Sequence, residues 1–353
     1  MGTSALLFLA FSHAPYLQNV TPNSITVVWQ TSASEIGSVH FTPMGGSEQV
    51  VSDAQATTDH YVTLSNLSPS TRYRYFVSSA SSGNSTAAEL HTAPAGNEPF
   101  TFLVYGDNRT DDAAHAQVVA RMQMESPDFI IQTGDMTPDG TVESNWTNFF
   151  NIEKTLLASN VIFPAIGNHE GDGVLFAKYF ALPQNGAAGL SPAERTYWFK
   201  YGNSAFIALD ANNPSGGSQV QWLQQQIAAA RADSTVQNIF VFYHQCAYSN
   251  GTGHGDTSTV DSAWVPTLEG NGGVTLVFQG HDHIYSRITH GPNTYIVAGG
   301  GGAPLYGTTA NTAGTVVKTE ATHHYIRVQV NGTYIQATVF RRGGTPWPGC
   351  TSR

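Results

Sequence analysis

The pattern of apolar and polar positions along this chain changes near residue 99. Residues 12–95 carry short apolar runs, SITVVWQ, SVHFTP, HYVTLSNL and RYRYFVSS, separated by Gly, Pro, Ser and Asn. Runs of that kind at a spacing of about 8–12 residues predict the strands of a β-sandwich. TAPAGNEP at 92–99, rich in Pro, Gly and small residues, predicts a linker. From Phe100 onward, strand-like runs (TFLVY, DFIIQT, VIFPAI, IFVFY, VTLVFQ) alternate with helix-like stretches at 111–126 and 218–233. That alternation predicts a layered α/β domain. In the second helical stretch Val220, Leu223 and Ile227, with Trp222 and Gln226 beside them, form a stripe suited to packing on a sheet. No internal repeat of about 20 to 50 residues is visible.

Each of the five apolar runs is followed by a short polar block. The blocks are Gly106-Asp107-Asn108, Gly134-Asp135, Gly167-Asn168-His169-Glu170, Tyr243-His244 and Gly280-His281-Asp282-His283. A strand that ends and then presents an oxygen or imidazole ligand is how open sheets build sites at their carboxyl ends. Two carboxylates, one amide and three imidazoles converging there make a mixed O/N site suited to a pair of transition-metal or zinc ions. Any one block alone reads as a turn or an ordinary histidine. Gly-Asn-His-Glu and Gly-His-x-His are rarer, and all five in order, each after a strand, read as a hydrolytic metal site.

These blocks resemble those of the calcineurin-like metallophosphoesterases, in particular the purple acid phosphatase branch. PYLQNVTPNSITVVWQT (15–31) is similar to the start of that branch's fibronectin-type β-domain, and HDHIYSR (281–287) and YIVAGGGGAPLY (295–306) to its C-terminal blocks. The resemblance runs from about residue 12 to about residue 342. It implies an N-terminal all-β, fibronectin III-like sandwich over 12–95. It further implies a catalytic α/β domain over 99–342, a four-layer sandwich of two mixed sheets flanked by helices. The strand-like runs after His283 (TYIVAG, HYIRVQV, YIQATVF) are expected to close the second sheet. Gly299–Gly302, four glycines without the Lys-Ser/Thr of a P-loop, is expected to be a turn where backbone approaches the site.

Residue by residue, the resemblance implies that Asp135 bridges two ions, iron, zinc or manganese. Asp107 and His283 complete the first site, and Asn168, His244 and His281 the second. Such a pair of ions activates a hydroxide for attack on a phosphate monoester or diester. His169 resembles the residue that binds phosphate or supplies the leaving group's proton, and His254 a second substrate-facing histidine. Imidazole suits both tasks because its pKa lies near neutrality. His115, His290, His323 and His324 match no motif position.

Two positions depart from the family pattern. The wider family has a metal-binding His two residues after its first Asp, where this chain has Arg109. The purple branch instead has a Tyr three residues after the bridging Asp, where this chain has Pro138. The purple colour of that branch comes from tyrosinate-to-iron charge transfer, so its source is missing at this position. Arg109 fits either a substrate phosphate or a structural salt bridge, and is counted among the candidate catalytic residues with His169 and His254.

Composition narrows the partners. With 353 residues, a formal charge of −10 and only 15 Lys and Arg, the chain has no basic stripe for a nucleic-acid polymer. A small phosphorylated substrate needs only a local positive site. No apolar run reaches the roughly 20 residues of a membrane span. Sparse charge (11%) and 35 glycines fit a secreted or periplasmic protein. SALLFLAF at 4–11 reads equally as a trimmed signal peptide or as a first strand. Cys246 and Cys350 form a disulfide in an oxidising compartment or stay as thiols in the cytosol. The competing functional reading is a surface protein with an impaired site, whose β-domain binds a partner; retention of the site histidines favours the enzyme. Oligomeric state is not encoded in any visible pattern.

Overall fold

The computed structural model describes residues 11–344 and 346–352, the latter segment as backbone. Residues 1–10, with nearly all of the apolar stretch 4–11, lie outside the described residues, as does the Cys350 side chain.

Two large sheets form the body of the molecule. In the first, the parallel strands Phe100–Tyr105, Phe129–Gln132 and Val161–Pro164 lie side by side. In the second, Ser204–Ala208, Asn238–Phe242, Leu276–Gln279 and Asn293–Ala298 run parallel. These strands are buried along nearly their whole length, so they read as continuous apolar runs rather than alternating ones. Phe102, Phe129, Phe206, Phe240 and Phe278 interdigitate between the sheets, with Phe102 meeting Phe206 and Phe240 edge-on at ring separations of 5.3 Å. Residues of the opposite parity, Ile207, Val241 and Val277, face away and pack under Trp222, Leu223, Ile227 and Trp264 of helices Gln219–Ala232 and Ser258–Glu269. Helices Asp112–Met122 and Glu143–Leu157 contribute Val118, Val119, Met122, Trp146 and Phe149 to the other core. The result is the four-layer α/β sandwich with mixed sheets.

Helix Glu143–Leu157 was not anticipated, although Trp146, Phe149, Phe150, Leu156 and Leu157 are spaced as one helical face. The last strands also depart from expectation. Asn293–Ala298 joins the second sheet, but His324–Asn331 and Tyr334–Arg341 return to the first. His324–Asn331 pairs antiparallel with Phe100–Tyr105, from Ile326 opposite Val104 to Val330 opposite Phe100. That strand's edge would otherwise present unpaired backbone groups, and the chain satisfies them there.

Residues 13–91 form a β-sandwich. One of its faces is Ser38–Pro43, Gln49–Ser52, Arg72–Ser79, Gly83–Asn84 and Ala88–His91. The other, His13–Gln18, Ile25–Glu35 and Thr57–Leu64, is not a separate sheet: His13–Gln18 meets Val161–Pro164 in parallel, so the first large sheet runs through both regions as nine strands. The Tyr16 hydroxyl donating to the Tyr179 carbonyl and the Tyr75 hydroxyl donating to that of Ala158, both at 2.7 Å, tie the sandwich to the α/β body. Among the described residues no helix is long and apolar enough to cross a membrane.

Candidate metal centre

All five blocks lie at the carboxyl ends of parallel strands. Asp107 follows Phe100–Tyr105, Asp135 follows Phe129–Gln132, and Asn168 follows Val161–Pro164. His244 and His281 follow Asn238–Phe242 and Leu276–Gln279 of the second sheet. The chain must turn sharply here to aim side chains at one point. Asp107, Asp135 and His281 accordingly have φ of 56°, 58° and 67°, a left-handed conformation unusual for such residues and characteristic of functional sites. Close packing demands glycine beside them. A Cβ on Gly134 would lie 2.6 Å from the His244 ring, and one on Gly280 2.6 Å from the Asp107 carboxylate.

His244 is the hub. Its Nδ1 donates to the Thr133 carbonyl at 2.9 Å, which fixes the tautomer and leaves Nε2 bare in the neutral ring. That nitrogen lies 3.1 Å from Asn168 Oδ1, 3.2 Å from Asp135 Oδ1 and 3.2 Å from His281 Nδ1. Four electron-pair donors thus converge with only one proton's worth of positive charge available between them. Burial pulls the His244 pKa down, but Asp135 and Asp107 overcome it and push it up to about 9. Burial likewise favours the neutral Asp135 carboxyl, yet the His244 charge and hydrogen bond hold it well below the usual carboxylate range. Burial, with the charge on His244 next, drives His281 down to about 2. A single cation among these atoms would satisfy all of them, so the donor set fits a transition-metal or zinc ion.

Asp107 and His283 sit to the other side, His283 Nε2 being 3.7 Å from Asp107 Oδ1. His283 Nδ1 donates to the Pro304 carbonyl at 2.7 Å, again leaving Nε2 bare. Asp107 accepts the His281 backbone N–H on both oxygens at 3.0 Å, and burial pushes its carboxyl up to about 8. Arg109 stands between these residues and Asp135, its Nε donating to Asp135 Oδ2 at 3.0 Å and its Nη2 lying 3.5 Å from His283 Nε2. His169 turns Nδ1 to the Pro138 carbonyl at 2.7 Å and Nε2 towards Asp135 Oδ2 at 3.8 Å. His254 is exposed and stacks on His281 at a ring separation of 3.7 Å. All nine residues singled out in the sequence therefore gather in one place.

Several supporting residues escaped notice. Glu170 and Asp282 lie inside the recognised blocks but were given no role. Fully buried Glu170 accepts the backbone N–H groups of Asp135 and Met136 at 2.9 Å and of Gly167 at 2.7 Å. Asp282 accepts from the His254 and Gly255 N–H groups at 2.9 Å and fixes the loop that carries His254. A buried acid inside a ligand block was the available signal. Tyr306 stacks on His283 at 4.1 Å, a contact no local pattern encodes. The Gly299–Gly302 turn packs against the first block as anticipated, with the Gly301 and Ala303 N–H groups donating to the Gly106 and Asp107 carbonyls at 2.8 Å. Cys246 is buried, has no disulfide partner among the described residues and donates to the Gly280 carbonyl. Of the unassigned histidines, His115 contacts buried Glu153 at 2.7 Å, behind the site.

The family model of the calcineurin-like phosphoesterases matches residues 100–285. The chain belongs to that family. Among curated proteins, this calcineurin-like phosphoesterase is 28% identical over 306 residues to an uncharacterized protein of Mycobacterium tuberculosis, covering 74% of this chain and 56% of that one. It is 25% identical over 240 residues to purple acid phosphatase 21 of Arabidopsis thaliana, covering 65% and 53%. The chain thus spans about half the length of the curated relatives it matches. Its fold is that of the purple acid phosphatase PPD1 from yellow lupin seeds, at a TM-score of 0.82 and 15% identity, over 96% of this chain and 74% of that one.

Proposed function

We propose that this chain hydrolyses phosphate esters of small molecules, monoesters or diesters, in a metal-dependent reaction. The convergence of Asp135, Asn168 and His281 on Nε2 of His244 carries the reading. These four residues would hold an ion. When bound, such an ion lowers the pKa of water and draws charge from a phosphoryl oxygen. The Thr133 and Pro304 carbonyls take the Nδ1 protons of His244 and His283, so that in the neutral rings the Nε2 lone pairs face the site. His169 is oriented by Pro138, so its free Nε2 can hydrogen-bond the phosphoryl group beside Asp135. The exposure of His254 above His281 supports its giving a proton to the departing alkoxide.

A net charge of −10 supports a small substrate over a nucleic-acid polymer. Its sparse charge supports an exported protein. The strands of residues 13–91 and the linker at 92–99 support two domains, 12–95 and 99–342. The deciding experiment is turnover of a panel comprising an aryl monoester, a bis-aryl diester, nucleotides and cyclic nucleotides, after loading with Mn, Zn or Fe. Hydrolysis of at least one class that disappears on chelation is expected. Inertness towards every member with every metal would refute the proposal.

A further inference from the structure

The family resemblance implies two ions, yet among the described residues one group of donors is assembled to receive one. Among the described residues, Asp135, His244 and His281 offer ligand atoms that all lie within 4.8 Å of one another, while Asp107, Asp135 and His283 do not form such a group. What stands among the latter three is Arg109. Its side chain is only 16% exposed, and its Nε takes Asp135 Oδ2 at 3.0 Å. The other oxygen of that carboxylate, Oδ1, faces His244 at 3.2 Å. The carboxylate that resembles a bridge between two metals therefore bridges the His244 cluster and a guanidinium. The bare Nε2 of His283 likewise faces a donor, Arg109 Nη2, at 3.5 Å.

We infer that Arg109 is a resident cation in place of one of the two metal ions, so that the chain holds a single ion at Asp135, Asn168, His244 and His281. The inference rests on the metal-dependent reading above. Three further features agree with it. The two positions from which the family draws an additional ligand here carry Arg109 itself and Pro138, whose carbonyl is occupied by His169. The loop is shaped to present the arginine, with Asp107 and Thr110 at φ of 56° and 83° and the Thr110 hydroxyl accepting from Arg109 Nη1 at 3.3 Å. An ion bound to Asp135 Oδ2 and His283 Nε2 would have to occupy the space of the guanidinium and meet its like charge. An arginine at this point keeps its charge at every pH of interest, so it supplies a permanent positive site for a phosphoryl oxygen but cannot ionise water.

The test is metal stoichiometry. Protein stripped with a chelator, reloaded with excess Mn(II) and desalted should retain about one ion per chain. Its electron paramagnetic resonance spectrum should be that of isolated Mn(II), without the exchange-coupled signal of a pair. Arg109→Ala and Arg109→His should raise the content to about two ions per chain and introduce the coupled signal. Two ions in the wild-type protein, or one ion in wild type and both variants alike, would overturn the inference. If neither variant folds, the wild-type content and spectrum decide alone. Absence of any bound ion in the wild-type protein would overturn the metal-dependent reading as a whole, so the two failures are distinct.

Discussion

Glu170 receives the backbone N–H of Asp135 at 2.9 Å, and its second oxygen receives that of Met136 at the same distance. A side chain with no metal-ligand role in our assignment thus sets the backbone of the residue that is central to the site. Asp135 is held at φ 58°, so its carboxylate stays aimed only while that turn is pinned.

Replacing Glu170 tests this directly. Glu170→Ala would leave three buried N–H donors, those of Asp135, Met136 and Gly167, without a partner. Metal affinity should fall by roughly 10–100-fold, as for other groups that orient a ligand without touching the ion. Isothermal titration of the chelator-stripped protein is the measurement. Unchanged affinity would mean that the Asp135 turn holds its shape unaided.

His281→Ala and Asn168→Ala should each reduce turnover by more than about 100-fold while leaving the fold intact. Asn168 opens the 3-10 turn Asn168–Glu170 and His281 lies on the loop after Leu276–Gln279, so neither is part of the apolar core. Far-UV circular dichroism and melting temperature should stay close to those of the parent. Substantial turnover in both variants would remove these residues from the ion's ligand set.

His254→Ala should slow hydrolysis of alkyl phosphates more than that of nitrophenyl phosphates. Proton donation matters most when the leaving oxygen is basic, and a nitrophenolate leaves without help. The ratio of kcat/KM on the two substrates is the readout. A ratio equal to the parent's would assign His254 to binding alone.

His324, whose backbone N–H donates to the Gly300 carbonyl, should make stability pH-dependent. Burial, with smaller contributions from its neighbours, lowers its pKa from 6.5 to about 4. Between those values the unfolded chain binds the proton and the folded chain does not, so stability is full above pH 6.5 and declines as the pH falls toward about 4. The decline should reach at most about 3 kcal/mol for this residue. His324→Gln should flatten that part of the profile in urea midpoints recorded from pH 7 to pH 4, and a profile parallel to the parent's would contradict it.

Iron-loaded protein should lack an intense visible tyrosinate band. Pro138 offers no phenol, Tyr105 is committed to Glu153 at 2.6 Å, and Tyr248 to Asp261 at 3.1 Å. Tyr306 stacks on His283 at a ring separation of 4.1 Å. If a strong band does appear, Tyr306→Phe should abolish it. A band that survives that substitution would mean the ligand environment is assigned incorrectly.

The sequence by itself determined the parallel strands and the polar residue that follows each, and it singled out nine side chains that the fold brings together. It could do so because apolar runs and the residues that end them are local features, read within a few positions of the chain. Only the tertiary structure decided which sheet received His324–Asn331, that His13–Gln18 would extend the same sheet, and where Arg109 would point. Edge pairing is chosen by which backbone groups remain unsatisfied, and that depends on every other strand. Arg109 finds Asp135 across 26 residues and His283 across 174. Contacts of that range follow from how two sheets are packed against each other, and no local periodicity encodes them.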